Sequence, residues 1–147
     1  VKALLRQTLA VLALLASSAA PAEQFVDRGE YRIHYNALNT TALTPEVARR
    51  FGITRTRNEA LLVLSPQQRD EQGRYRPVPA QGEGRARSLL GHVVPLKLRP
   101  VRDGDSHYLV ASFQILDGEF LKLELNVLPS GAGTPIPLAF QQQFYRE

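Results

Sequence analysis

From Glu30 to Leu38 apolar and polar residues alternate, with Tyr31, Ile33, Tyr35 and Ala37 on one side and Arg32, His34 and Asn36 on the other. A period of two marks a strand with one buried face. The alternation is cleaner still from Phe120 to Leu128, where Leu121, Leu123, Leu125 and Val127 interleave with Lys122, Glu124 and Asn126. Between these lie a continuous apolar run at Ala60 to Leu64 and strand patterns at Arg87 to Gly91, Val93 to Arg99 and His107 to Ile115. A last strand is expected at Thr134 to Tyr145. Asp103-Gly104, Asp117-Gly118 and Pro129 to Gly133 supply turn chemistry between them.

One segment departs from period two. Thr44-Pro45-Glu46-Val47-Ala48-Arg49-Arg50-Phe51-Gly52 predicts a short helix, with Thr44 as N-cap, Pro45 where a missing N–H costs nothing, and Gly52 closing it. Ser65 to Gly84, rich in Pro, Gln, Gly and Arg, reads as the longest loop, with Tyr75 and Val78 docking as an edge strand. About seven short strands with one helix predict a mainly β domain, an antiparallel immunoglobulin-like β-sandwich, with a small β-barrel as the alternative.

Residues 1–22 stand apart. Lys2 and Arg6 precede an apolar run, Leu9 to Ala16, and Ala20-Pro21-Ala22 places small residues before Glu23. This is the layout of a signal peptide cut after Ala22, leaving 23–147 as a single domain outside the cytoplasm. The apolar run is far shorter than the roughly 20 residues of a membrane-spanning helix, so a soluble mature chain is expected. Loss of Lys2 and Arg6 reduces 18 basic residues to 16 against 14 acidic, a net charge of +2. The arginines at 49, 50, 55, 57, 69, 74, 76, 85 and 87 are interleaved with acids and read as a solvated face, so nucleic acid is not expected as a partner.

The absence of cysteine excludes thiol chemistry, zinc-thiolate sites, disulfide exchange and lipid attachment. His34, His92 and His107 lack a second ligand at a metal spacing, so no metal and no cofactor is expected. Asp105-Ser106-His107 holds the residue types of a catalytic triad, but neighbours in a strand point to opposite faces. Period two puts Gln142 on the face of Ile136, Leu138, Phe140 and Phe144, where its amide needs partners; Asn36, Asn39 and Thr40 are the candidates. Gln142 either ties the last strand to the first or helps to line a polar groove. The candidate binding residues are therefore His34, Asn36, Asn39, Arg55 and Gln142, and no catalytic residue is singled out.

Gly29 to Thr40, Leu43 to Ile53, Leu89-Leu90-Gly91, Val101 to Asp105 and Phe140-Gln141-Gln142-Gln143-Phe144-Tyr145 together resemble the DUF4426 family of exported Gram-negative bacterial proteins with no assigned function. The resemblance implies a small periplasmic β protein and supplies no catalytic residue. The expected role is a non-catalytic binding or interaction module that offers a strand edge or polar groove to an envelope protein or cell-wall component. The alternatives are an envelope-polymer hydrolase with dispersed carboxylates, which requires a deep acidic cleft, and a small-ligand carrier lidded by Ser65 to Gly84.

Overall fold

The computed structural model describes residues 24–147; the expected signal peptide lies outside them. Ten strands follow in order: β1 (Phe25–Arg28), β2 (Tyr31–Asn39), β3 (Glu59–Arg69), β4 (Tyr75–Pro77), β5 (Ala80–Ser88), β6 (Val93–Leu96), β7 (Arg99–Asp103), β8 (Ser106–Gln114), β9 (Glu119–Pro129) and β10 (Ile136–Phe144). A 3-10 turn (Thr40–Ala42) and one helix, α1 (Pro45–Phe51), stand between β2 and β3. The strands form two antiparallel sheets, β1-β2-β3-β8-β7 with β4 also on β3, and β10-β9-β5-β6. Neither sheet closes, so the architecture is a β-sandwich and not a barrel.

The core lies between the sheets and follows the alternation. Ile33 and Ala37 of β2, Leu62 and Leu64 of β3, Leu109 and Phe113 of β8 meet Leu123, Leu125 and Val127 of β9 and Leu138 and Phe144 of β10. At roughly 25 cal/mol per Å² of apolar surface, this layer is the dominant stabilising contribution. α1 is built as its sequence prescribes: Thr44 Oγ1 accepts from the Val47 N–H, Pro45 opens the first turn, and Gly52 closes it at φ 67°. The helix lies on the outer face of the first sheet, where the Phe51 ring meets Tyr108 at 5.6 Å and the Arg99 guanidinium donates to the Phe51 carbonyl. Leu61 and Val110 point to that outer face and are nonetheless fully buried.

Three expectations need correction. Ser65 to Gly84 is not a loop: β3 runs on to Arg69, β4 pairs back on it, and β5 begins at Ala80. Pro66 is tolerated because β8 pairs with β3 only as far as Leu64, so its missing N–H faces a gap. Its carbonyl, on that same side, accepts from the Val78 N–H at 3.1 Å. Arg87 to Gly91 is not one strand, because the chain turns after Ser88. Val93 to Arg99 is also divided: β6 pairs with β5 in the second sheet and β7 with β8 in the first, and Lys97-Leu98 crosses between them.

Sequence alternation continues through β5 in a disguised form. Ala80, Gly82, Gly84 and Ala86 face inward, and Gln81, Glu83, Arg85 and Arg87 face outward. The small inward residues make room for the side chains of the neighbouring strand: a Cβ on Gly84 would run into Leu125 Cδ2 and lie 2.8 Å from the Glu124 carbonyl oxygen, both on β9 of the same sheet.

Candidate functional site

On one flank of the sandwich, β2 and β10 lie side by side with no strand pairing between them, and side chains make the joint. The Tyr31 hydroxyl reaches the Ser130 carbonyl at 3.4 Å, and the Tyr35 and Phe140 rings stack at 4.7 Å. Gln142 Nε2 donates to the Ala37 carbonyl at 2.9 Å, and Asn39 Nδ2 to the Tyr145 carbonyl at 2.6 Å. Both strands advance in the same direction along this seam.

This seam places two of the five candidate binding residues in structural roles. Gln142 faces inward as expected, but its partner is the Ala37 backbone and not Asn36, Asn39 or Thr40. Thr40 is fully buried and exchanges two hydrogen bonds with Thr56, donating to its carbonyl at 2.8 Å and accepting from its N–H at 2.9 Å. Arg55 donates to the Thr41 carbonyl at 3.1 Å, securing the same loop. His34 and Asn36 are on the opposite face of β2, His34 beside the Phe25 ring at 5.5 Å and Asn36 exposed. The structure therefore does not bring the five together. Period two along β2 separates His34 and Asn36 from Asn39.

A different surface gathers instead at the end of the sandwich that carries the β5–β6 turn. Here the Ser88 N–H donates to the His92 carbonyl, the Gly91 N–H to the Ser88 carbonyl, and the His92 N–H to Ser88 Oγ, all within 2.9–3.1 Å. Gly91 adopts φ 86°, a conformation costly for other residues. This tight turn holds Leu89 and Leu90 out into solvent, 74% and 86% exposed. Leu116, Phe120 and Tyr145, also exposed, belong to the same end, since β9 starts there and β10 finishes there.

Behind the leucines the outer face of the second sheet is cationic. Arg87 is level with Val93 on β6 and Lys122 on β9, and Arg85 is level with Glu124. Glu124 serves all three cations, with Arg85 at 2.8 Å, Arg87 at 3.5 Å and Lys122 at 3.9 Å. The hydrogen bond from Arg85 holds the Glu124 carboxyl below its ordinary range against the opposing effect of desolvation, and the three charges add to it. Asp27 is lowered in the same way by the Arg32 guanidinium, and Asp70 chiefly by the Arg74 backbone N–H.

Sequence reasoning passed over this surface, having read Leu89 and Leu90 as the end of a strand. The available signal was a pair of leucines directly before a glycine in a chain otherwise careful to alternate. Elsewhere, a cleft of about 540 Å³ between the end of α1 and the β6–β7 crossing is lined by Ile53, Glu59, Lys97, Arg99 and Ser112. Ser106 and His107 alternate across β8 as expected, and among the described residues no three His, Asp or Glu side chains gather as metal ligands.

The model of the family described as "Domain of unknown function (DUF4426)" matches residues 25–147, every strand of the sandwich included. The chain belongs to the DUF4426 family. A solved DUF4426 protein from Pseudomonas aeruginosa PAO1 is 28% identical with a TM-score of 0.73, over 85% of this chain and 96% of that one. The fold is also shared with FetP of uropathogenic Escherichia coli strain F11, 12% identical with a TM-score of 0.59, over 87% and 97% of the two chains. A copper-bound Glu-to-Gln variant of FetP gives 11% and 0.60, over 86% and 97%. No curated protein matches this DUF4426 chain.

Proposed function

We propose that this DUF4426 protein is an exported, non-catalytic module of the cell envelope that binds its partner through the end of the sandwich bearing Leu89 and Leu90. The observation that carries this reading is the presentation of two leucines at the apex of a hydrogen-bonded turn. Large apolar side chains held rigidly in water favour a partner that covers them. Export rests on the charged and apolar pattern of residues 1–22.

The alternatives draw less support. A hydrolase of the expected kind needs a cleft holding an acidic pair, whereas the cleft beside α1 is lined by a single carboxylate, Glu59. A carrier needs space between the sheets and a lid; the interior is filled by the core, and the expected lid is strand. FetP's copper gives no further lead, because this chain has neither cysteine nor methionine to add to its three scattered histidines.

A photo-crosslinking residue at position 90 of the chain, expressed in a Gram-negative host, tests the reading. Crosslinks to an envelope component from position 90, and none from position 71 in the exposed turn at the far end, are expected. Equal yields from both positions, or a chain retained unprocessed in the cytoplasm, would defeat it.

A further inference from the structure

We infer that the partner of this end is an anionic lipid bilayer surface, into which the β5–β6 turn inserts as a shallow reversible anchor. The inference rests on the binding-module reading and specifies its partner.

The argument begins with the order of chemistry along the second sheet. Leu89 and Leu90 are outermost, with Phe120 beside them at the start of β9. Arg87 and Lys122 come next on the same outer face, and Arg85 is two residues further back. Two residues of strand span about 7 Å, so the cations trail the apolar tip by roughly the depth to which interfacial apolar side chains sink below the headgroups. The leucines then meet acyl chains while the guanidinium and ammonium groups reach lipid phosphates.

Charge points the same way. Three cations share the single carboxylate of Glu124, which leaves two positive charges on this part of the face. Glu119 and Asp117 on the neighbouring turn accept from the N–H groups of Leu116 and Arg146 and keep their negative charges, so the attraction to an anionic surface is confined to the outer face of the second sheet, where Arg87 and Lys122 stand. Near an anionic surface each basic residue adds a modest attraction, which gives binding that is weak, reversible and salt-sensitive.

The local shape argues against a protein strand added to β6. That edge is four residues long, and Pro95 lacks the N–H that a new strand would need. The apolar groups also project from turns as separate knobs. Such knobs suit a fluid phase that closes around them better than a partner needing a matching pocket. No helix among the described residues is long and apolar enough to cross a membrane, so a turn anchor would complement the fold.

The test uses residues 24–147, which contain both complete sheets, so that the apolar run near the N-terminus does not contribute. Co-sedimentation with phosphatidylcholine vesicles containing phosphatidylglycerol should pellet the protein at low salt, and phosphatidylcholine alone should not. Replacing both leucines (Leu89→Ser with Leu90→Ser) should weaken binding at least about tenfold, since both lose their apolar transfer into the acyl region. Replacing both cations (Arg87→Gln with Lys122→Gln) should flatten the salt dependence, with the melting temperature of each variant confirming that it folds. The chain has no tryptophan, so Leu90→Trp supplies a single reporter whose emission should shift to the blue on binding. No sedimentation at low salt, or sedimentation unaffected by the leucine replacements, would overturn the inference. Position-90 crosslinks to a protein with no vesicle binding would overturn it while leaving the module reading intact. Loss of both signals would remove both.

Discussion

The side-chain amide of Gln142 donates to the backbone carbonyl of Ala37 at 2.9 Å, across two sheets and 105 positions of sequence. Ala37 lies beyond the short edge strand β1, which pairs with β2 only through His34, so this carbonyl has no strand neighbour on that side. A side chain therefore stands in for the missing strand. Gln142→Ala should lower stability by about 1 kcal/mol, the usual net worth of such a bond. Combined with Asn39→Ala in a double-mutant cycle followed by urea denaturation, it should show coupling, because both bonds hold one seam.

Thr40 pins the loop that carries α1. Thr40→Val keeps the shape but leaves the Thr56 N–H unpaired in a half-buried place and its carbonyl with only the Glu59 N–H at 3.4 Å, and should cost about 1 to 3 kcal/mol. Thr40→Ser keeps the hydroxyl and should cost about 1 kcal/mol or less for its lost methyl. Thermal melts of the two variants, compared with the parent, separate hydrogen bonding from packing.

Gly84→Ala tests how closely Leu125 and the β9 backbone pack on β5. Its new methyl would meet the Glu124 carbonyl oxygen at 2.8 Å, a backbone atom that cannot swing aside, and a loss of about 1 to 3 kcal/mol is expected. Gly133→Ala, where no atom lies within 4 Å of the new Cβ, should be close to neutral in the same urea titration.

Acid should weaken the fold through Asp27, Asp70 and Glu124. Each has a folded-state pKa below its ordinary value, so the unfolded chain takes up protons first as pH falls. Their contribution is fully present above the ordinary carboxylate range and disappears as pH drops through the lowered folded-state values. Glu124→Gln should be less stable than the parent at neutral pH, since Arg85, Arg87 and Lys122 lose their shared counter-charge. The difference should shrink as pH falls below the carboxylate range, read as urea midpoints at a series of pH values.

The strands with the strongest alternation were the most legible. β2 and β9 emerge from period two alone, and α1 from Thr44, Pro45 and Gly52, because each local preference agrees with the tertiary packing. β5 escaped because Gly82 and Gly84 bury surface without being apolar; the period of two was present, but in size and not in hydrophobicity. β3 was cut short at Pro66, whose acceptability depends on where β8 stops, a fact of topology that no local window contains. The inward side of Gln142 was readable, yet its partner is a backbone carbonyl, and sequence patterns do not mark which carbonyls lack a strand neighbour. Attention to His34, Asn36 and Arg55 followed side-chain chemistry. The most unusual surface is instead a pair of leucines whose meaning depends on a turn.

The three chain crossings between the sheets, β4 to β5, β6 to β7 and β8 to β9, all avoid the flank where β2 and β10 meet. The molecule is thus bound like a book, with a covalent spine at Lys97-Leu98 and a clasp of tyrosine, phenylalanine and glutamine at the fore-edge. Thermal breathing will part the pages at the clasp first, so amide protons of β10 and of the part of β2 that lies beyond β1 should exchange with solvent well before those of β8 and β9.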